Sequence, residues 1–379
     1  MARLDAFLQL GKEQGCSDIH LAVGIPPMLR MHGTLMPVKY RNLAEDELQV
    51  LVDEVLTETQ RAAFAAGNDL DFSYTSDGVG RFRVNLFRKL GGVGATFRVI
   101  PTQIPSLDDL GLPPVVKRLT RYHQGLVLVT GAAGTGKSTT LAAMIDHLNS
   151  TRRLNIITLE DPIEFVHPSK MSLVVQREVG TQVGSFAEGV RAALREDPDI
   201  ILVGELRDTE TITLAMIAAE TGHLVLGTLH TTSATKTLDR ILDALPTEQR
   251  AQGTVFLAQS LRGIVSQTLV RTADGRGRRA IVEVLVMTPA IANLLASGKA
   301  FQIPSMLQTG KELGMQLMDQ ALLEALNKKE IDPDDAYRAA TDKRTFQRFV
   351  TDPDLLPRIN MVGGPATAPP GRGAPPPKT

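Results

Sequence analysis

Hydrophobic residues recur along this chain in two rhythms, and the rhythm changes near residue 116. From Gly80 to Arg88, Phe82, Val84 and Leu86 alternate with polar positions. That period of two predicts a strand with those three on one face and Arg81 and Arg83 on the other. Leu4 to Gln14 has helical spacing, and Ala44 to Ala66 predicts a helix or two. Asp18 to Val23, Pro27 to Met31, Asp69 to Tyr74 and Gly94 to Ile100 predict strands. Strands and helices without strict alternation predict a small α+β unit over residues 1–100. Pro101 to Ser106 and Gly111 to Pro114 then bracket a predicted linker, 101–115. Beyond it, short apolar runs at 126–130, 154–159, 200–203 and 224–229 alternate with helical patterns at 138–149, 186–196 and 209–220. This strand–helix alternation predicts a mostly parallel sheet with covering helices. After about residue 246 the pattern predicts mainly helix as far as 355. The Pro/Gly-rich end, 356–379, predicts a disordered tail.

Composition adds bounds rather than identity. At 379 residues, two domains or three are expected, and 43% hydrophobic residues suffice for packed cores. A net charge of -1 gives no global basic field for nucleic acid. Cys16 is the only cysteine, which excludes an internal disulfide and a multi-cysteine zinc site and suits a reducing compartment. The start, Met1 to Leu8, has no long apolar region, so no signal peptide is expected. No run approaches the length of a membrane span.

The chemistry concentrates at Gly131-Ala132-Ala133-Gly134-Thr135-Gly136-Lys137-Ser138, which fits G-x-x-x-x-G-K-[ST]. An apolar strand precedes it, and a helix beginning Ser138-Thr139-Thr140 follows. Backbone N–H groups and the positive end of that helix would face a nucleotide's phosphates. Lys137 would reach the β and γ phosphates, and the Ser138 hydroxyl would face Mg²⁺. Three further strands end in polar residues at what should be the same edge. The first delivers Glu160, Asp161 and Glu164, placed for Mg²⁺ or water. The second delivers Glu205, the first candidate to orient or activate a water. Gly204 stands where a metal-binding Asp is usual, so Glu205 would meet the metal through water. The third delivers His230 as a γ-phosphate contact, with His223 at the far end of the same strand. Arg83 and Arg98 are candidates to neutralise phosphate charge across an interface.

Four ordered boxes carry a resemblance over about residues 1–350: the phosphate loop at 131–138, Glu160-Asp161-Pro162-Ile163-Glu164-Phe165, Val203 to Asp208, and Thr221 to Thr232. Together with Ser17-Asp18-Ile19-His20-Leu21, they are similar to the secretion and pilus motor ATPases, and within them to the type IV pilus retraction ATPases. The resemblance implies an α/β chain in which a PAS-like α+β domain precedes a RecA-like P-loop ATPase domain with a helical C-terminal part. It implies a homo-hexameric ring that binds ATP and Mg²⁺ at 131–139 and works from the cytoplasmic side of the inner membrane. Its partners would be the pilus platform protein and a second retraction ATPase, with no nucleic acid. In that pattern Glu164 and Glu205 are the catalytic carboxylates, and His230 contacts the γ-phosphate. Arg83 and Arg98 match arginines that approach a neighbour's nucleotide. The short N-terminus and single cysteine disfavour a pilus-extension or secretion ATPase. One departure bears on the branch: Ala292 and Ala296 replace two arginines of the retraction ATPases' Ala-Ile-Arg-Asn-Leu-Ile-Arg-Glu-like stretch. An accessory subunit with weak activity of its own is therefore an alternative, as, more distantly, is a DNA translocase. A GTPase would need an Asn-Lys-x-Asp element, which Asn327-Lys328-Lys329-Glu330 does not supply.

Overall fold

The computed structural model describes residues 2–31, 34–101 and 103–356, so the predicted tail lies outside the described residues save for Leu356. The first part of the chain builds α1 (Asp5–Glu13), β1 (Asp18–Ala22), β2 (Met28–Met31) and β3 (Thr34–Pro37). It continues with α2 (Glu45–Asp53), α3 (Glu58–Ala65), β4 (Leu70–Ser76), β5 (Gly80–Lys89) and β6 (Gly92–Val99). Its strands form one antiparallel sheet in the order β3-β2-β1-β6-β5-β4. The alternation in β5 does what the sequence pattern predicts: Phe82, Val84 and Leu86 are buried with Ile19, Leu48 and Phe97. The stretch 44–66 resolves into two helices because Thr57 starts a new one. Its hydroxyl accepts from the Gln60 N–H at 3.3 Å, and the Gln60 side chain accepts from the Thr57 N–H at 2.9 Å, a reciprocal cap.

The chain continues with α4 (Pro114–Leu119), β7 (Gly125–Thr130), α5 (Lys137–Thr151), β8 (Asn155–Glu160), β9 (Leu173–Glu178) and α6 (Phe186–Ala193). Then come β10 (Ile200–Val203), α7 (Thr209–Glu220), β11 (Leu224–Leu229), α8 (Ala234–Ala244) and α9 (Arg250–Ser260). Two long strands follow, β12 (Leu261–Arg271) and β13 (Arg278–Val286), and then α10 (Pro289–Ala296), α11 (Ile303–Thr309), α12 (Met318–Asn327), α13 (Pro333–Ala339) and α14 (Lys343–Phe346). The second sheet has the order β13-β12-β7-β11-β10-β8-β9. Every neighbouring pair is parallel except β12 and β13. Every residue of β7, β10 and β11 is buried, as a sheet covered on both faces requires. Among the described residues, no helix is long and apolar enough to cross a membrane.

The expectation of mainly helix after residue 246 is wrong for 261–286. There the chain adds a hairpin to the sheet, turning at Thr272-Ala273-Asp274-Gly275. Its signals are β-branched residues and the Asp-Gly turn. They were obscured because Ser266, Gln267 and Glu283 are polar yet buried, which breaks the apolar run. The segment after Thr288 is helical as predicted. Thr288 caps α10 by accepting from the Ile291 N–H, and Ile291 and Leu295 are buried. The helix is thus intact with Ala292 and Ala296 in place.

Candidate functional site

β7 runs straight into the glycine loop, and α5 starts at Lys137. Its N-cap is Gly136 at φ 84°, which offers no side chain to the first N–H groups. α6, α7 and α8 instead begin at Ser185, Asp208 and Ser233, each of which accepts one of those N–H bonds. The uncapped donors of α5 are therefore free for an anion. Inside the loop, Thr135 Oγ1 donates to the Ala132 carbonyl at 2.9 Å. Lys137 Nζ donates to the carbonyls of Gly131 and Ala132 at 2.9 and 3.0 Å. Burial pushes the Lys137 pKa down, partly offset by the charges of Glu205 and Glu164, so a polyanion beside it would relieve that penalty.

A cavity of about 390 Å³ opens on this loop, and most of the predicted site residues meet in it. Ala133, Gly134, Lys137 and Ser138 line one side. Glu160, Asp161, Glu164, Glu205 and His230 come from the ends of three other strands. Arg83 and Arg98 close the cavity from the antiparallel sheet. The two arginines are paired across β5 and β6, and each is held by a carboxylate. Arg83 grips Asp71 at 2.7 and 3.1 Å, and Arg98 bonds Asp18 at 2.9 Å. Both line the cleft of their own chain. His223 lies at the opposite end of β11, with its ring nitrogen 2.9 Å from the Ala218 carbonyl.

Glu205 sits at the centre of the polar edge. One oxygen is 3.2 Å from His230 Nε2 and the other 2.7 Å from Arg207 Nε. Burial raises its pKa, but the Arg207 and His230 interactions more than offset that, and the net shift is downward. Gly204 explains the missing strand-end aspartate: a Cβ there would lie 3.0 Å from the Leu159 carbonyl and 3.3 Å from Glu160 Cα. Glu160 differs from its neighbours. It accepts from Thr158 at 2.6 Å and from Gln176 at 3.1 Å, and burial pushes its pKa up. Both bonds fall on its Oε1.

Several residues of this site escaped the sequence reading. Gln176, on β9, bonds Glu160, the Phe165 carbonyl and the His167 N–H, and so shapes the acidic loop. His167 lines the cavity with a buried, unpartnered Nδ1, and burial lowers its pKa to about 4. Glu178 accepts from the Ile163 N–H at 3.0 Å, from Ser73 at 2.9 Å and from Arg81 at 2.6 Å, which joins the acidic loop to the antiparallel sheet. Buried Glu283 accepts from the Ala234 N–H at 2.7 Å, where α8 begins after the His230 loop. None of these lies in a motif; each is defined by its partners. A second cavity of about 520 Å³ opens behind the loop, lined by Gly136, Thr139, Asp109, Leu269, Arg278 and Arg279.

A phosphate loop opening a helix on a parallel sheet, facing polar ends of three other strands, defines the class of phosphate-loop α/β proteins. Residues 13–331 match the family described as Type II/IV secretion system protein, and the chain belongs to that family. It is 48% identical over 340 residues to the type IV pilus retractation ATPase PilT of Pseudomonas aeruginosa, which covers 90% of this chain and 98% of that protein. It is 40% identical over 353 residues to the type IV pilus ATPase PilU of the same organism, with 92% of each chain covered. A crystal structure of the pilus retraction motor PilT with bound ADP matches with a TM-score of 0.85 at 43% identity, covering 92% of this chain and 99% of that one.

Proposed function

We propose that this chain is an ATP-hydrolysing motor subunit that powers type IV pilus retraction and so twitching motility. The observation that carries the reading is the meeting of the phosphate loop, Glu164, Glu205 and His230 in one cleft. The phosphates of ATP lie on residues 131–139, with Lys137 on the β and γ phosphates. The second cavity takes the nucleoside end. Glu205, lowered in pKa, is a weak proton acceptor, and so orients the attacking water more than it deprotonates it. Its contact with His230 links the water position to the γ-phosphate, Glu164 assists, and Arg83 and Arg98 neutralise charge from the other sheet.

The residues also fit Mg²⁺. Among the described residues, no cluster of three or more His, Cys, Asp or Glu could hold a metal alone. That suits an ion held mainly by phosphates and waters, with one protein hydroxyl. Ser138 would supply the hydroxyl, with Glu205 and, less favourably because of its burial, Glu160 acting through water. The ion would neutralise charge on the phosphates.

In this reading residues 1–100 form the PAS-like unit, 101–115 the linker and 116–355 the RecA-like ATPase unit. Hydrolysis shifts one against the other. Six copies form a ring at the cytoplasmic face of the inner membrane, turn the platform protein there and draw pilin out of the fibre, alongside a second retraction ATPase. Deletion of the gene tests the role: many surface pili without twitching are expected, and loss of pili overturns it in favour of extension. Steady Mg²⁺-dependent ATP hydrolysis by the purified chain separates a motor from an accessory subunit.

A further inference from the structure

Gln267 is a polar residue inside the seven-stranded sheet, 4% exposed, and nothing in the proposed chemistry uses it. It lies on β12 beside β7, next to Ser266, whose hydroxyl is 2.8 Å from that of Thr130 at the root of the glycine loop. Both ends of its carboxamide are engaged. Nε2 donates to the Thr135 carbonyl at 2.7 Å, and Oε1 accepts from the Thr140 hydroxyl at 2.7 Å. These partners fix the amide orientation, because a carbonyl can only accept. One amide therefore ties the glycine loop to the first turn of α5. Two loop glycines also press on this residue. A Cβ on Gly131 would stand 2.3 Å from the Gln267 carbonyl oxygen, and one on Gly136 would stand 2.9 Å from Nε2.

We propose that Gln267 is a positioning residue of the nucleotide site, holding the loop in its phosphate-binding shape without touching the nucleotide. The proposal rests on reading the cleft as a nucleotide site. Without the amide, the Thr140 hydroxyl can turn back to a carbonyl of its own helix. The Thr135 carbonyl, inside the loop, has no such recourse. A loosened loop must be reordered when the phosphates arrive, which weakens binding. Glu164, Glu205 and His230 stand on other strands and keep their places, so turnover at saturation persists.

The test uses the full chain with Gln267→Met, which keeps the side-chain length and removes both bonds. Binding of a fluorescent N-methylanthraniloyl ATP and steady-state ATP hydrolysis are measured together. The expected result is about a tenfold rise in Kd and KM, with kcat within about twofold. Thr140→Val, which removes only the helix-side bond, is expected to weaken binding by about threefold, and it stands in if Gln267→Met does not fold. Unchanged Kd in the folded variant, or a fall in kcat at unchanged Kd, overturns the assignment. Failure of the unaltered chain to bind the analogue overturns the nucleotide reading and the Gln267 assignment with it. Binding by the unaltered chain with no change in the variants overturns the Gln267 assignment alone.

Discussion

Replacing Arg81 by methionine removes the charge that reaches from the antiparallel sheet to Glu178. The Arg81 and Glu178 side chains are 22% and 7% exposed, and their nitrogen and oxygen lie 2.6 Å apart. Breaking a buried pair from one side typically destabilises by about 3–5 kcal/mol, because a charge is left buried without its partner. Here Glu178 keeps the Ser73 hydroxyl and the Ile163 N–H, so the carboxylate is not stranded. We therefore expect a loss of about 2 kcal/mol. Glu178→Gln added to Arg81→Met removes the uncompensated charge while keeping an acceptor for the Ser73 hydroxyl and the Ile163 N–H. That double variant should recover about 1 kcal/mol. Urea unfolding followed by circular dichroism measures both values, with a second probe to check that one transition is being read. ATP hydrolysis should fall in the single variant as well, since the Ile163 N–H lies between Asp161 and Glu164. A loss below about 0.5 kcal/mol in Arg81→Met, or a double variant no more stable than the single one, refutes the reasoning.

Other expectations follow from the same geometry. Lys137→Ala should abolish detectable nucleotide binding, whereas Glu205→Gln should keep it and lower kcat by about a hundredfold or more; near-normal turnover in the latter would remove Glu205 from the catalytic role. Gly131→Ala should lose nucleotide binding even if it folds, because its Cβ would lie 2.3 Å from a backbone oxygen at a φ of 149°; normal affinity in a binding titration would contradict the tight loop packing. His167 has a pKa of about 4 when folded against an ordinary 6.5, so between these values the unfolded chain binds more protons. Its contribution is complete above pH 6.5 and is lost as pH falls toward 4. About 2 kcal/mol of stability should therefore disappear between pH 7 and pH 5. Urea titrations of His167→Leu should lack that part of the slope, and an identical slope in both proteins sinks the prediction.

The parts whose signal is local are legible in the residues alone. The glycine loop needs its residue types in unbroken order. The apolar runs of β7, β10 and β11 are buried on both faces, so they read as strands without any knowledge of their neighbours. Alternation in β5 likewise separated Phe82, Val84 and Leu86 from the arginines before any fold was known. The rest is legible only in the folded chain, because it depends on partners far along the sequence. β12 reads poorly as a strand because Ser266 and Gln267 are polar, and they are tolerated inside a sheet only because Thr130, Thr135 and Thr140 satisfy them. Nothing in Glu178 or Arg81 announces that they meet across 97 residues. Local spacing encodes which way a side chain points on its own element. What it meets there is set by the order in which the strands assemble, and in this chain that order brings β12 beside β7 and turns β5 toward the phosphate loop.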